Sequence, residues 1–358
     1  MFENAPYIFL TANSADGFVN KFQSFTDKKE NWYTYIIKGG PGTGKSSFMK
    51  KVANRATESS DEVVLCPCSS DTDSLDAVIL TKQKIMVVDG TAPHTIDPIC
   101  AGVSDEILNF GEFWNGEKLK EQGENIKKVS LENKLFHKRA ALCISAAGRV
   151  KRDNMKISLI AADIEKVVNE AEKTANRFLN NGNQEASETV CYLNAVSPKG
   201  NVFYKSTIDY FANEKIIIND SLGTVSNIFM SIVRDIALAK KYNIITVKDN
   251  ILPNDKIEHI IVPKAKIAFC SEGSFFTFEE KQRRIRAERF MDEMQIAKNS
   301  KRIKFNKKLE KEFIKQAIEA LGTAKDLHDK LESYYINAMD FDKANRFCDS
   351  VIDEIFKT

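Results

Sequence analysis

The stretch "IIKGGPGTGKSSFMKKVANRA", from Ile36 to Ala56, decides how the first part of this chain folds. It contains "GGPGTGKS", which fits the pattern G-x-x-x-x-G-K-S/T from Gly39 to Ser46. The apolar run before the pattern predicts a strand that ends at Lys38, and the residues after it predict a helix that opens at Ser46. Glycines allow positive φ angles that turn backbone N–H groups inward, so we expect this loop to bind phosphate.

The residue types in the loop suit a nucleoside triphosphate. We expect the backbone amides to bind the phosphates, aided by the positive end of the following helix. Lys45 can reach the β- and γ-phosphates as a point charge, and the Ser46 hydroxyl can ligate Mg²⁺. The predicted cofactor-binding residues are Gly39, Gly40, Pro41, Gly42, Thr43, Gly44, Lys45, Ser46 and Ser47.

A phosphate loop of this kind also needs an acidic residue at the end of a neighbouring strand to hold magnesium. "IMVVDG" supplies Asp89 at the end of an apolar run, so Ser46 and Asp89 are the predicted metal ligands. Gly90 follows Asp89, so the adjacent catalytic glutamate of many ATPases is missing. The D-x-x-G and NKxD signatures of GTPases are missing as well, which favours ATP as the nucleotide.

Polar residues near these motifs are candidates for the chemical step, together with Lys45 and Asp89. Asp71 and Asp73 follow the strand predicted at "EVVLC", where open α/β sheets bind their ligands. His94 lies shortly after Asp89. These three side chains could act as a general base or contact a second substrate. The alternative is that the aspartates cap turns and that His94 is a surface histidine.

The second part of the chain repeats the first in the same order. "IINDSLGTVSNIFMSIVRDIA", from Ile217 to Ala237, keeps the apolar frame of the opening stretch. Four further segments match in sequence order: Ala12–Val19 with Ala195–Val202, Val63–Cys66 with Ile244–Val247, Leu75–Asp89 with Ile257–Ser271, and Ala161–Lys166 with Ala338–Lys343.

Each repeat predicts an α/β unit followed by a long helical hairpin. Short β-branched runs alternate with helical sequence, which suggests a parallel sheet flanked by helices. Apolar residues then recur every three or four positions, from Leu131 to Ala175 in the first repeat. Asp163 and Asp340 are placed to N-cap the last helix of each hairpin.

We therefore predict two tandem P-loop NTPase-like units, separated at the polar stretch Asn180–Glu188. The active unit covers 1–182, with its hairpin over about 105–180. The degenerate unit covers 186–358, with its hairpin over about 278–357.

The second loop, "NDSLGTVSN", has lost the groups that bind phosphate. The missing lysine charge, the restricted φ of a valine and a repelling aspartate all disfavour a nucleotide there. We therefore expect the second unit to keep its fold without the chemistry. Aligned on Ile36 and Ile217, the replacements are Gly39 by Asp220, Gly44 by Val225, Lys45 by Ser226 and Asp89 by Ser271.

Composition favours a cytoplasmic protein without a membrane or nucleic-acid partner. The 52 Lys+Arg and 50 Asp+Glu leave a net charge of only +2. The basic runs Lys281–Arg289 and Lys301–Lys311 contain glutamates and predict solvated helix faces. No apolar run approaches the roughly 18 residues of a membrane span, and the start lacks the features of a signal peptide. The seven cysteines fit a reducing compartment.

The runs "GGPGTGKSSFMK", "CSSDTDSLDAV", "DGTAPHTIDP" and "EILNFGEFW" together resemble a family of tandem P-loop proteins of spore-forming and related bacteria. Members of that family are described as ATPases or nucleotide kinases. The similarity runs nearly end to end and includes "AMDFDK" in the second repeat. It implies a cytoplasmic ATP-binding fold, and it carries over to Gly39–Ser46, to Asp89 and to the "GTAPH" segment that ends at His94.

Three functions stay open from the sequence. The first is an Mg-ATP-dependent hydrolase in which bound nucleotide changes how the hairpins and the second unit sit. The second is a phosphotransferase for a small molecule or nucleotide, with Asp71, Asp73 or His94 touching the acceptor. The third is a non-catalytic ATP-binding scaffold that assembles with a partner protein, or with its own copies, through the helical parts.

Overall fold

The computed structural model of the protein describes residues 5–22, 31–92, 95–182, 185–273, 275–278 and 281–357. They form an α/β fold. The elements up to residue 182, here called the first half, are β1 (Thr11–Ser14), β2 (Gly17–Asn20), β3 (Tyr33–Lys38), α1 (Lys45–Glu58), β4 (Val63–Cys68), β5 (Asp71–Leu80), β6 (Ile85–Asp89), β7 (Asp105–Asn109), α2 (Gly116–Glu121), α3 (Gly123–Ala161) and α4 (Ile164–Phe178).

The second half, from residue 185 onward, adds β8 and α5 and otherwise repeats this order. Its elements are β8 (Glu188–Cys191), β9 (Asn194–Ser197), β10 (Gly200–Phe203), α5 (Lys205–Phe211), β11 (Glu214–Asn219), α6 (Thr224–Ala239), β12 (Ile244–Lys248), β13 (Ile257–Val262), β14 (Ile267–Glu272), β15 (Arg283–Arg286), α7 (Glu293–Lys298), α8 (Ser300–Ile336) and α9 (Phe341–Ile355). None of the helices in these described ranges is long and apolar enough to cross a membrane.

The two main sheets share one strand order. The first runs β4-β5-β6-β3-β7, and the second runs β12-β13-β14-β11-β15 with β8 added beside β12. Both sheets are mixed, so the predicted parallel sheet is only partly correct. β3 is parallel to β6 and β7, whereas β5 is antiparallel to both β4 and β6. The physical reason is the short connection from β4 to β5, since parallel neighbours require a long crossover.

Strand register confirms that the repeated sequence is a repeated structure. Ile37 of β3 pairs with Asp89, and Ile218 of β11 pairs with Ser271, as the sequence alignment requires. The short hairpins β1–β2 and β9–β10 turn at glycines with φ of 105° and 101°, Gly17 and Gly200.

The two sheets pack face to face. Ile36 and Val88 of the first sheet share one buried core with Ile217 and Cys270 of the second. The opposite faces carry helices, with α1 on the first sheet and α6 on the second. The layers are therefore helix, sheet, sheet and helix, and the short helix α5 adds Ile208 to the core between the two sheets. Side chains alternate across a strand, so a second apolar sheet covers the inner face as well as helices would.

The last helix of each half packs on the sheet of the other half. Val351 and Ile355 of α9 lie in the core of the first sheet. Val167 and Ala171 of α4 lie in the core of the second sheet. The helical hairpins therefore cross the molecule, and each hydrophobic core contains residues from both halves.

The N-caps of α4 and α9 are as predicted. Asp163 accepts a hydrogen bond from the amide of Lys166, and Asp340 accepts one from the amide of Lys343. These bonds satisfy amides that the first turn of a helix leaves unpaired.

The hairpins begin later than the predicted residues 105 and 278. Residues 105–109 form β7 beside β3, and residues 283–286 form β15 beside β11. The basic run Lys281–Arg289 therefore contains an edge strand, although a helix face was predicted there. Strands this short carry too few residues for their period of two to stand out from a helical pattern.

We expect Ile355→Ala to lower the free energy of unfolding by about 2–5 kcal/mol, because the truncation leaves a cavity in a packed core. Ile355 is 2% exposed in the core beneath the first sheet. Urea unfolding measures the change. The matched control is Ile160→Ala, at a residue that is 77% exposed, where we expect a change within about 0.5 kcal/mol. Equal stability of the two variants would contradict the packing of α9 on the first sheet.

Candidate functional site

The phosphate-loop motif connects the end of β3 to the start of α1. Gly42 and Gly44 have φ of 66° and 91°, a region of backbone space that favours glycine. The Thr43 hydroxyl donates to the carbonyl of Gly40 at 2.9 Å and holds the turn. Among the described residues no side chain caps α1. The first amides of this helix are therefore available to an anion.

Lys45, Ser46 and Asp89 line one cleft. The Lys45 ammonium donates to the carbonyl of Gly40 at 2.7 Å and lies 3.6 Å from the Asp89 carboxylate. Asp89, at the end of β6, accepts hydrogen bonds from the amide and the hydroxyl of Thr91. The Ser46 hydroxyl oxygen accepts from the amide of Leu75 at 3.0 Å.

The oxygens of Ser46 and Asp89 fit a magnesium ion that arrives with phosphates. The described parts of the chain hold no group of three or more His, Cys, Asp and Glu placed to bind a metal. Magnesium does not need such a group, because it usually keeps several waters and binds one or two protein oxygens together with substrate phosphates.

The loop opens into a cavity of about 1080 Å³. The cavity lies between the α/β part of the first half and the two long helices α3 and α8. This volume lies just above the range of roughly 300–1,000 Å³ that is typical of small-molecule sites. One wall consists of the loop, the β1–β2 hairpin and the start of β5. The opposite wall consists of α3 and α8. Its ionisable residues are Lys134, His137, Lys138, Lys325, His328 and Glu332.

Helix α8 of the second half contacts the loop directly. The Gly42 amide donates to the Glu332 carboxylate at 3.2 Å, and His328 Nε2 lies 3.5 Å from the same carboxylate. His328, and then the Gly42 amide, keep the pKa of Glu332 below its usual value, so the group is an anion at neutral pH.

Two glycines of the loop permit this close approach. A Cβ atom on Gly40 would lie 2.7 Å from the ring of Tyr335, and one on Gly42 would lie 2.9 Å from the backbone oxygen of Glu332. Both distances are shorter than any normal carbon contact. The glycines of the motif therefore serve the contact with α8 as well as the loop conformation.

The two predicted aspartates, Asp71 and Asp73, have different surroundings in the structure. Both belong to the start of β5, because residues 69 and 70 form a tight turn between β4 and β5. Asp71 lines the cavity, 3.6 Å from the Lys325 ammonium. Asp73 points outward and pairs with Lys199 at 2.6 Å, and this hydrogen bond lowers its pKa. Asp73 therefore does not line the cavity, and His94 lies outside the described residues.

The residues that line the helical wall were missed from the sequence. Lys134 and Lys138 are four residues apart on α3, and His328 and Glu332 are four residues apart on α8. This spacing puts each pair on one helix face, and it was visible in the sequence. What the sequence did not reveal is that a helix of the second half crosses to the loop of the first.

The second loop is occupied by its own carboxylate. Asp220 is 2% exposed and accepts hydrogen bonds from the amides of Leu222 at 3.0 Å and Ser226 at 2.8 Å. Helix α6 begins at Thr224, which aligns with Thr43, whereas α1 begins only at Lys45. The second loop is thus shorter, and an internal anion binds the amides that a phosphate would need.

Buried charges surround this closed loop. The Lys256 ammonium lies 2.7 Å from Glu258 and 3.5 Å from Asp249, and Asp249 also pairs with Lys151 of α3. Burial opposes the charge of Lys256, but Glu258 and Asp249 raise its pKa above the usual value. Buried charges are stable in a folded protein only when they are paired. The second half therefore has a network of paired charges beside its loop, whereas the first half has a cavity beside its loop.

We expect Asp220→Ala to lower the free energy of unfolding by about 2–4 kcal/mol, because two buried amides lose their acceptor. Asp220→Asn retains one acceptor oxygen, so its loss should be smaller. Urea unfolding of the two variants beside the wild type measures both effects. Wild-type stability of Asp220→Ala would show that the carboxylate does not hold the second loop closed.

Comparison with known proteins returns no match to a protein-family model, to a curated protein or to a solved structure. The geometry of the site is therefore the basis on which a function is inferred.

Proposed function

We propose that this chain is a P-loop ATPase that binds Mg-ATP at Gly39–Ser46 and hydrolyses it to drive a conformational switch. The observation that carries the proposal is the hydrogen bond from the Gly42 amide to the Glu332 carboxylate. An anion from the second half holds an amide of the loop that a phosphate oxygen would otherwise bind. The phosphate loop and the long helix α8 are thereby linked.

The residues of the first site have the chemistry that Mg-ATP requires. The uncapped amides of α1 suit phosphate oxygens, and the Lys45 ammonium supplies a positive charge beside them. Ser46 and Asp89 would hold the magnesium ion. When bound, that ion neutralises charge that develops on the phosphates. Nucleotide binding would replace the contacts of Lys45 with the carbonyls of Gly39 and Gly40.

Competition between two anions explains how the switch works. The Glu332 carboxylate and a phosphate cannot both accept from the Gly42 amide at close range without strong repulsion. Nucleotide therefore favours arrangements in which α8 has moved from the loop. Because α8 packs along α3 and contacts the first half at Glu332 and the second half at Lys307, a movement of α8 reaches both halves.

We further propose that the chain contains two tandem P-loop-like units, as in the family that its motifs resemble. The shared strand order of the two sheets supports this interpretation. The second unit is non-catalytic, since Asp220 takes its loop amides and Ser271 replaces Asp89. Cytoplasmic localisation belongs to the same proposal and agrees with the free state of all seven cysteines.

The volume of the cavity favours a second candidate function, an ATP-dependent kinase for a small molecule or nucleotide. The cavity extends from the loop to the basic wall of α3 and reaches Asp71. Asp71 is then the candidate base for the acceptor, although Lys325 already pairs with it. A scaffold that binds ATP without turnover is the third candidate, and turnover measurements separate it from the other two.

We expect Lys45→Ala to weaken Mg-ATP binding by about 10- to 100-fold, because a charge-assisted contact to phosphate is lost. Titration calorimetry measures binding, and phosphate release, with and without a metabolite extract, measures turnover. The control is Lys51→Ala, an exposed lysine of the same helix outside the cavity. Absence of ATP binding by the wild type, or an unchanged Lys45→Ala variant, would refute the proposal.

We expect Glu332→Gln to bind Mg-ATP up to about tenfold more tightly, because the competing negative charge is removed. Trp114 reports binding, since its ring lies 5.8 Å from that of Tyr335, which covers Gly40. The chain has two tryptophans, so a Trp32→Phe background isolates this signal. The matched control is Glu319→Gln, on the same helix outside the cavity. Unchanged or weaker affinity of Glu332→Gln would contradict the switch.

A further inference from the structure

The wall of the cavity that faces the loop carries cations on one face of α3. Lys134 and Lys138 lie one helical turn apart, His137 lies beside them, and all three line the cavity. None of the described residues forms an ion pair with Lys134 or Lys138. Two positive charges therefore face this space without a carboxylate partner in the described part of the chain.

The carboxylates of the same cavity have other partners. The lining includes five lysines and four acidic residues, so cations are in excess. Asp71 lies beside Lys325, and Glu332 accepts from the Gly42 amide. Asp76 accepts from Thr11 and Asp89 from Thr91. None of these four carboxylates forms an ion pair with Lys134 or Lys138.

Two imidazoles line the same cavity as these lysines. His137 belongs to α3 and His328 to α8. Burial, and then the neighbouring His328, lower the pKa of His137. Each imidazole can donate an N–H bond to an anion, and a bound anion would favour the protonated form.

The geometry points to a second anion site on this wall, formed by Lys134, His137 and Lys138 of α3 with His328 of α8, for a phosphate-bearing small molecule. Two ammonium groups and two imidazoles match the double negative charge of a phosphate monoester better than a single carboxylate. The cavity of about 1080 Å³ leaves room for this group beside a nucleotide at the loop.

The inference rests on the kinase candidate of the proposed function, because it names the substrate class of the same cavity. A kinase acceptor that carries its own phosphate would be held at the wall and would present its other end to the loop. The alternative ligand of this anion site is the nucleotide itself, if its own phosphates extend to α3. The test must therefore separate a second anion from the nucleotide.

The probe is inorganic phosphate, titrated into the full chain saturated with Mg²⁺ and a non-hydrolysable ATP analogue. The chain has four histidines, so their ring C–H signals can be resolved by NMR. We expect saturable shifts of the His137 and His328 signals toward the protonated form. Lys134→Ala/Lys138→Ala should weaken phosphate binding by about tenfold or more, since two charge-assisted contacts are lost. Both lysines are exposed, so folding should be unaffected.

The matched control is Lys120→Ala/Lys128→Ala, which removes two exposed lysines outside the cavity and should leave phosphate binding unchanged. The inference is overturned if phosphate gives no saturable shift in the loaded protein, or if the α3 variant binds it as the wild type does. It is also overturned if the analogue alone produces the full His137 shift.

Failure of the proposed function has a different signature. If the wild type does not bind the analogue, the same phosphate titration is run on Lys45→Ala without nucleotide. Phosphate binding that depends on Lys134 and Lys138 would then support the wall site, although the ATPase proposal would have failed.

Discussion

The antiparallel contact between α3 and α8 is the constraint on which the rest of the structure depends. Asn133 near one end donates to the carbonyl of Ala324, and Asp153 toward the other end pairs with Arg302, so the register of two helices of 39 and 37 residues is fixed over most of their length. Small buried residues let the helices approach closely, among them Ala140, Ala147, Ala317 and Ala320. With this register set, α4 and α9 reach the opposite sheets and Glu332 reaches Gly42.

The loops of the two halves differ in the source of the carboxylate that accepts hydrogen bonds from their amides. In the second half the carboxylate of Asp220 is part of the loop itself and lies only a few residues from the amides it binds. In the first half the carboxylate of Glu332 comes from a distant helix. The first arrangement is permanent because the chain is short between donor and acceptor. Under the proposed function the second is reversible, because a helix can move without breaking the loop.

Features that depend on local sequence could be predicted, and features that depend on distant contacts could not. The strand before the loop, helix α1 and the caps Asp163 and Asp340 are set by neighbouring residues, and all are confirmed. The hairpin of β4 and β5 and the crossing of the helices depend on residues far apart in the chain. Leu131, Leu135 and Leu142 share the apolar period of α3 and yet are exposed, because α8 packs on another face of that helix. The period shows that a helix has an apolar face, but not what covers it.

The exchange of the last helices has a consequence for how the polypeptide is made. Phe48 and Met49 of the first half share a core with Val351 and Ile355 of α9. The core of the first sheet is therefore incomplete until the ribosome has synthesised almost the whole chain. Contacts between residues so far apart in sequence are slow to form, and apolar surface is exposed in the meantime. The outer face of the first sheet therefore lacks the cover of α9 throughout the translation of the second sheet.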